Sequence, residues 1–334
     1  MTDELSSQSE GVREVPKRAL DTYARLWQLE TWLRRMVYVE LRALRGDAWS
    51  RGLKKSTSFE ADKRLKHMPT PEMNALSYAQ LSELTQLIGD NWKCFESYLP
   101  PQDLWDAKLK EIKQIRHRIA HFRRGHHDDF PRLIQFMRDI DLGFWTFCTS
   151  FNNAQAVLPQ DRDSITTHFL PRDPLPWVEI EEKKWAQVGF VNKSLVLGMS
   201  VQVGRRLWAE RVDDSAGKPG HFYDFTLSAM DGRLFEYSAL LERTQHIHQH
   251  VIYICLSSSE NSLRVTLPAL LGAPKIIEIM ELVVEIAEQE VSRSRSPIAL
   301  LPEALADEWP EYVLGPSNPL TFLDPGMKCS FFDV

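Results

Sequence analysis

The sequence has no long apolar run and no paired cysteines. Its longest apolar stretches, such as VIYICL at residues 251–256, are far shorter than the ~20 residues that a membrane-spanning helix needs. The four cysteines are scattered and form no C-x-x-C pair, which argues against a disulfide framework and a cysteine zinc site. Residues 1–15 are polar and lack the apolar core of a secretory signal, so we interpret them as a disordered leader. These absences predict a protein of the reducing cytoplasm with no membrane partner.

The net charge of −6 is divided unevenly along the chain. Residues 1–150 hold 24 lysines and arginines against 21 acidic residues, whereas residues 151–334 hold 16 against 25. Within the first half, positive charge is concentrated in residues 17–66 and 104–138. Local basic surfaces attract polyanions even when the whole protein is acidic, although a solvated helix face has the same composition. Charge alone leaves both interpretations open.

The first half of the chain has the apolar periodicity of helices. Residues 17–45 contain no glycine or proline, and their leucines recur at three- and four-residue steps until Gly46. Thr70-Pro71 is typical of a helix start, as N-cap and first helical residue, and predicts a second helix ending near Gly89. Two more helices are predicted, one from Pro101 past Ile119 and one over residues 131–149, with a break at Gly125 between them. We therefore predict a helical domain over residues 16–155.

The second half has a different pattern, and 334 residues suffice for two hydrophobic cores. Residues 156–176 contain four prolines and no long period, which favours a Pro-rich linker. Residues 177–291 contain short segments rich in β-branched and aromatic residues, followed by one late helix, and predict a strand-rich domain of unknown role. A Pro-rich tail over residues 292–334 is expected to lie on the surface. The predicted fold class is α+β, a helical bundle followed by a smaller mixed α/β domain.

Residues 115–122 read IRHRIAHF, so that Arg116, His117 and His121 form the pattern R-H-x-x-x-H on a predicted helix. This pattern resembles the HEPN superfamily, whose ribonuclease members have an arginine, a polar residue directly after it, and a histidine four to six residues after the arginine. The segments LETWLRR at residues 29–35 and LSYAQLSELTQLIGDNWKCF at residues 76–95 agree with that resemblance. It covers roughly residues 20–150.

The resemblance implies a HEPN-like helical bundle and a metal-independent endoribonuclease that needs no cofactor. It implies cleavage of single-stranded RNA to a 2′,3′-cyclic phosphate and a 5′-hydroxyl, at a cleft that two copies of the domain share. Such a protein would be a homodimer and a hydrolase of the toxin or abortive-infection (antiphage defence) type. An antitoxin or other regulatory protein is a possible further partner, and the acidic second half suits contact with a basic surface.

The chemistry of the motif residues fits this activity. RNA carries its own nucleophile, the 2′-hydroxyl, so the enzyme has to align the attack, neutralise phosphate charge and move protons. His121, assisted by His117, is predicted to move the protons, because imidazole titrates near neutral pH. Arg116 offers a permanently charged planar fork of donors for the phosphate oxygens. On one regular helix Arg116 and His121 lie about 140° apart, so a distorted helix, the reach of the arginine or a second copy has to bring them together.

Further residues are predicted to contact the RNA. Arg118, Arg123 and Arg124 follow the motif arginine closely and are expected to contact flanking phosphates, in a salt-sensitive manner. Glu30 and Arg34 occupy positions where family members often keep polar residues facing the site. Their i, i+4 spacing is also that of an ordinary ion pair on a helix surface.

Two other groups of histidines in the sequence offer alternative sites. His117, His121, His126, His127, Asp128 and Asp129 resemble a metal cluster in composition, but the general-base glutamate of H-E-x-x-H is absent and the neighbouring arginines would repel a cation. We therefore predict no metal. His246, His248 and His250 alternate and would share one face of a strand, similar to the nucleotide-hydrolysing histidine triad family. A metal-dependent nucleotide hydrolase and a non-catalytic HEPN module that binds RNA or protein remain the alternatives.

Overall fold

The computed structural model describes residues 16–51, 53, 57–67, 74–158, 163–175, 177–182, 184–188, 195–294 and 300–334. The predicted leader, residues 1–15, lies outside this described part. The contacts divide the chain into two compact units. Unit 1 takes in the chain up to Val37, Ala79–Thr146 and Cys329–Val334, and unit 2 takes in Tyr38–Tyr78 and Phe147–Lys328. The fold class is α+β, as predicted. The predicted order of a helical bundle followed by a smaller domain is not found, because the two units alternate along the chain and unit 2 contains more residues than unit 1.

Unit 1 is helical and is built from parts of four helices. They are α1 (Lys17–Arg45, of which residues up to Val37 belong to unit 1), α3 (Leu81–Asp90), α4 (Gln102–Ala120) and α5 (Asp129–Asn152, up to Thr146). A short 3-10 helix, Trp92–Cys94, follows α3. The bounds of α1 coincide with the predicted helix, because an unbroken apolar stripe ends at Gly46, which has a φ of +54°.

The second helix begins later than predicted. Thr70-Pro71, the expected start, lies outside the described residues, and residues 75–78 form turns ahead of α3. α3 begins after Gln80, whose backbone N–H donates to the Glu83 carboxylate at 2.8 Å. This contact satisfies one of the N–H groups that a helix start leaves open and places the helix boundary there.

The core of unit 1 is formed by one apolar face of each helix, and the C-terminal residues add to it. Phe332 is buried, and the Asp141 carboxylate of α5 accepts the backbone N–H groups of Phe331 at 3.0 Å and Phe332 at 2.8 Å. Trp32 packs edge-on against Phe331, with ring centroids 4.7 Å apart. The end of the predicted surface tail is therefore part of a packed core.

Unit 2 contains the sheet. Within the described residues six strands form one sheet: β1 (Gln155–Ala156), β4 (Leu197–Arg205), β5 (His221–Ala229), β7 (Tyr253–Leu256), β8 (Ser262–Pro268) and β10 (Val313–Leu314). Their order in the sheet is β1-β4-β5-β8-β7-β10, and all neighbours are antiparallel except the β7/β10 pair. Two-stranded pairs are formed by β2 (Trp177–Glu181) with β3 (Lys184–Gln187) and by β6 (Leu234–Phe235) with β9 (Val291–Ser292).

Helices complete unit 2. They are α2 (Thr57–Arg64), α6 (Ser164–Phe169), α7 (Tyr237–Thr244), α8 (Ala273–Gln289), α9 (Pro302–Glu308) and α10 (Pro319–Phe322). α8 is the late helix predicted after Pro274, and it buries its apolar side chains in the same core as the inward-facing residues of the sheet. No helix in the described part of the chain combines the length and the apolarity needed to cross a bilayer.

Two proline-rich segments are more ordered than the sequence suggests. The predicted linker, residues 156–176, contains α6, whose Ile165 and Phe169 are fully buried. Asp163 begins this helix by accepting the N–H groups of Ile165 and Thr166, and it also accepts the Tyr223 hydroxyl at 2.7 Å. The predicted tail, residues 292–334, contributes β10 to the sheet. Proline at the first turns of α9 and α10 starts these short helices, which explains why prolines here do not indicate an unstructured chain.

Candidate functional site

The R-H-x-x-x-H motif lies at the C-terminal end of α4, in unit 1. One face of α4 is buried, including Ile112 and Ile115, and this burial fixes the rotation of the helix. The helix ends at Ala120, and the next residue, His121, is no longer helical, with φ −100° and ψ 22°. His117 is therefore on the last turn of a packed helix and His121 directly follows that turn, and both side chains are exposed to solvent.

A buried carboxylate joins two arginines beside the motif. Glu30 of α1 is 8% exposed, and each of its carboxylate oxygens accepts a different guanidinium. Arg34 Nη2 donates to Oε2 at 3.0 Å and also to the carbonyl oxygen of Ala79 at 3.0 Å. Arg116 Nε donates to Oε1 at 3.1 Å. Arg34 thus holds Glu30, and Glu30 holds Arg116.

Arg116 uses only one of its nitrogens in this arrangement. Among the described residues, its hydrogen bond to Glu30 is made through Nε, and its two terminal nitrogens have no protein partner. A carboxylate on Nε fixes the direction of the guanidinium plane, which leaves the two Nη groups for a further acceptor. The predicted i, i+4 ion pair between Glu30 and Arg34 is present, and it extends to the motif arginine.

The two motif histidines contact each other. The ring centroids of His117 and His121 are 4.4 Å apart, and the planes meet edge to face at 63°. The pKa of His117 is lowered from its ordinary value by partial loss of solvation and by the neighbouring positive charges of His121, Arg123 and Arg116. The lowered pKa favours the neutral form of His117.

Arg118, a predicted phosphate ligand, is bound by a carboxylate of the same unit. Its Nε donates to Asp129 Oδ2 at 3.0 Å and its Nη2 donates to Asp129 Oδ1. Asp129, the first residue of α5, is buried and also accepts the backbone N–H of His126 at 2.8 Å. This bidentate pair connects the end of α4 to the start of α5. Arg118 is therefore positioned to hold the loop between the helices.

The other two predicted phosphate ligands remain open. Arg123 and Arg124 follow the helix end and are exposed. In the part of the chain that the structure describes, neither guanidinium has a carboxylate partner. Their charge is available to a polyanion that approaches the His117 and His121 side chains.

Part of the considered metal cluster is brought together. Ligand atoms of His126, His127 and Asp128 lie within 4.8 Å of one another in the exposed loop. Asp129 is instead paired with Arg118, and His117 and His121 contact each other. The loop triad has nitrogen and oxygen donors that suit a transition metal, so tests of the motif need a chelator.

The alternating histidines in unit 2 do not form the predicted strand face. Gln245–His250 is a 3-10 helix, and the strand begins only at Tyr253. His248 is buried, and its ring lies 5.2 Å from that of Trp309, while His250 Nδ1 is 2.6 Å from Asp47 Oδ2. The expectation that all three histidines project from one strand face is wrong, because a period of two exists only in an extended chain.

Unit 2 also contains a cavity of about 380 Å³. It lies near the start of β5 and is lined by both cationic and acidic side chains, among them Arg205, Arg211, Asp213 and His221. Burial lowers the pKa of His221, which favours its neutral form. None of the motif residues lines this cavity.

The sequence does not indicate the contacts of two residues of the site. Asp129 resembles only a metal ligand in the sequence, and its position ahead of Pro131 is the one signal of a helix start there. Phe122 directly follows the motif, and nothing in the sequence predicts a role for it. Its backbone has a φ of +54°, and its side chain is 97% exposed.

Comparison of the chain with protein-family models, with curated proteins and with solved structures found no match. The function is therefore inferred from the contacts and the chemistry of these residues.

Proposed function

We propose that this chain is a metal-independent endoribonuclease with a HEPN-like helical domain, which cleaves single-stranded RNA as a toxin or antiphage effector of the cytoplasm. The observation that carries the proposal is the pairing of an oriented arginine with an exposed histidine pair at one helix end. Glu30 holds Arg116 by Nε and leaves its terminal nitrogens open, while His117 on the last turn and His121 just after it face solvent.

The proposed reaction uses the 2′-hydroxyl of the substrate. His117, neutral because its pKa is lowered, accepts the 2′-hydroxyl proton as the 2′-oxygen forms a bond to phosphorus. His121 in its protonated form donates a proton to the 5′-oxygen as the phosphorus–oxygen bond breaks. The terminal nitrogens of Arg116 neutralise charge on the non-bridging oxygens. The products are a 2′,3′-cyclic phosphate and a 5′-hydroxyl, and no electron transfer is involved.

A second copy of the chain fits the geometry of the motif. Arg116 is drawn towards Glu30 on α1, and among the described residues no hydrogen bond joins it to His121. Two helix ends that meet across a twofold axis would place the arginine of one copy near the histidines of the other. The proposed active form is therefore a homodimer through the helical domain, which a cognate antitoxin or regulatory protein can control.

The first test is cleavage of a single-stranded RNA in excess EDTA by the wild type, Arg116→Ala and His121→Ala. We expect the wild type to cleave and both variants to lose activity, with cyclic phosphate ends on the product. Arg132→Ala is the matched control, because Arg132 is an exposed arginine that pairs with Glu111 outside the motif. Cleavage that EDTA abolishes, or that both motif variants retain, contradicts the proposal and favours a metal site such as the loop triad.

The second test concerns the shared site. Arg116→Ala and His121→Ala chains are mixed, unfolded together and refolded, so that mixed dimers form. If each site combines an arginine and a histidine from different copies, the mixture recovers a measurable part of the wild-type rate. A mixture as inactive as its components, with dimers present, shows that the arginine and the histidine act within one chain. A non-catalytic RNA-binding module would show variant-sensitive binding and no cleavage in either experiment.

A further inference from the structure

Phe122 has a conformation that its residue type disfavours. Its φ of +54° is in the left-handed region, where the Cβ of a bulky residue crowds the backbone. Its side chain is 97% exposed, the highest value among the exposed large hydrophobic residues of the described chain. The Phe122 ring does not stabilise the fold by burial, because it contacts almost no protein.

The backbone around Phe122 forms a helix cap that normally uses glycine. The N–H of Phe122 donates to the carbonyl of Ile119 at 3.0 Å, and the N–H of Arg123 donates to the carbonyl of Arg118 at 3.0 Å. These two bonds form a Schellman motif, in which the residue at position 122 has to adopt a positive φ. Glycine would satisfy the cap without strain, and strained side chains are concentrated at functional sites.

The loop after Phe122 is anchored at both ends. The Arg118 side chain is bound by Asp129, and Asp129 also accepts the N–H of His126. The cap and this ion pair together fix the direction in which the Phe122 ring leaves the backbone. The ring is therefore presented to solvent by a held backbone.

The charges around Phe122 indicate what the ring contacts. Arg123 and Arg124 are exposed and without carboxylate partners among the described residues, and His121 precedes the ring directly. An exposed aromatic ring among cations is the arrangement that binds single-stranded nucleic acid, in which the bases stack on the ring and the cations contact the phosphates. A duplex keeps its bases stacked on each other and offers the ring no free face.

We propose that Phe122 is a stacking platform for one unpaired nucleobase of the RNA, next to the phosphate that lies at Arg116 and the motif histidines. This proposal rests on the proposed function only in that the motif face binds RNA. The proposal makes Phe122 the residue that favours binding of single-stranded over double-stranded RNA. It also explains why phenylalanine occupies a position that suits glycine.

The test measures binding of a single-stranded 2′-O-methyl oligoribonucleotide, which the protein cannot cleave because the 2′-oxygen is blocked. Fluorescence anisotropy at one fixed salt concentration compares the wild type with Phe122→Ala, Phe122→Gly and Phe122→Trp. We expect about 5- to 100-fold weaker binding for the alanine and glycine variants and unchanged or tighter binding for tryptophan. Leu142→Ala, which truncates another exposed apolar side chain of unit 1, is the matched control and keeps wild-type affinity.

Thermal unfolding separates stacking from a structural role. Phe122→Gly relieves the strained backbone, so its melting temperature is expected to equal or exceed that of the wild type while its affinity falls. A second comparison replaces single nucleotides of the oligonucleotide by abasic ones. At one position of the oligonucleotide, the abasic substitution should weaken binding to the wild type but not to Phe122→Ala, because the missing base is the one that stacks on the Phe122 ring.

Several results would overturn the proposal. They are wild-type affinity in Phe122→Ala, an equal loss for a matched RNA duplex, no position at which the abasic effect depends on Phe122, or no binding of the oligonucleotide by the wild type. Failure of the ribonuclease proposal looks different. If the wild type binds RNA through Phe122 but does not cleave it in EDTA, the stacking platform stands and the catalytic assignment falls.

Discussion

Replacing Glu30 by glutamine tests the central contact of the site. The substitution keeps the size of the side chain but exchanges one carboxylate oxygen for an NH₂ group. Because Glu30 accepts from Arg34 Nη2 on one side and from Arg116 Nε on the other, the new NH₂ has to face a donor. One of the two guanidinium contacts is therefore lost. Glu30 acts here as a positioning residue for Arg116.

The structure sets the size of the expected effects. The two ion pairs are partly open to solvent, with side-chain exposures of 35% for Arg116 and 26% for Arg34, so the loss of one of them is expected to cost only about 1–2 kcal/mol of unfolding free energy. A displacement of Arg116 by about 1 Å lowers kcat by about 10²-fold. The formal charge of Glu30, Arg34 and Arg116 together rises from +1 to +2. RNA binding should therefore be equal or tighter at low salt.

The assay for Glu30→Gln measures kcat and KM for RNA cleavage, together with the Kd for the 2′-O-methyl oligonucleotide. We expect kcat to fall while Kd is unchanged or lower. Glu111→Gln is the matched control, because Glu111 pairs with Arg132 at 3.2 Å on an exposed face. The reasoning is refuted if Glu30→Gln cleaves like the wild type, or if kcat and RNA affinity fall together, which would mean that Glu30 itself contacts RNA.

Three further predictions concern stability and salt. Glu40→Leu removes the carboxylate that binds the fully buried Arg206 guanidinium at 2.6 and 2.8 Å and the Trp208 indole N–H at 2.7 Å, so urea unfolding should show a loss of about 3–5 kcal/mol. Glu40→Leu/Arg206→Met should recover the part of this loss that comes from the unpaired buried charge, but not the part that comes from the Trp208 N–H. Burial lowers the pKa of His248 to about 4, so the unfolded chain, with an imidazole pKa of about 6.5, binds a proton first as the pH falls. The unfolding free energy should drop by up to about 3 kcal/mol between pH 6.5 and 4, and His248→Gln should remove this dependence. If the wild type and His248→Gln show the same pH profile of stability, His248 is not its cause. Arg123→Ala should lower the slope of log Kd against log salt concentration by about 0.7 for each copy whose Arg123 contacts the RNA. Arg118→Ala should leave this slope unchanged, because Arg118 is paired with Asp129.

The long helices are well predicted because burial repeats along them. α1 spans the predicted Lys17–Arg45, and α4 begins at Gln102 after the two prolines that indicate a start. Short elements are predicted less well, because one or two local contacts decide them. The 3-10 helix at Gln245–His250 has an alternating sequence typical of a strand, and α6 depends on the Asp163 carboxylate as its cap.

In the site, too, contacts within one helix follow from the sequence, whereas contacts between helices do not. The position of His117 and His121 on one helix face follows from i, i+4 spacing, and the structure places the two rings in contact. The pairing of Arg116 with Glu30 joins residues on different helices, and the same holds for Arg118 with Asp129 across a loop. Sequence spacing cannot indicate such contacts, since they depend on how helices pack.

These contacts divide the five arginines of the predicted site into different tasks. Arg34 and Arg118 are each engaged by a carboxylate that also has a second partner, so their charges are largely offset inside the domain. Arg116 is oriented at one nitrogen and open at two, and the exposed Arg123 and Arg124 have no carboxylate among the described residues. The open charges therefore lie where α4 ends, around the exposed His121 and Phe122 side chains. If the proposed RNA phosphate is bound only by these open groups, its position depends on the direction of the Arg116 guanidinium. Glu30, which contacts no RNA in this proposal, should then control the cleavage rate by orienting Arg116.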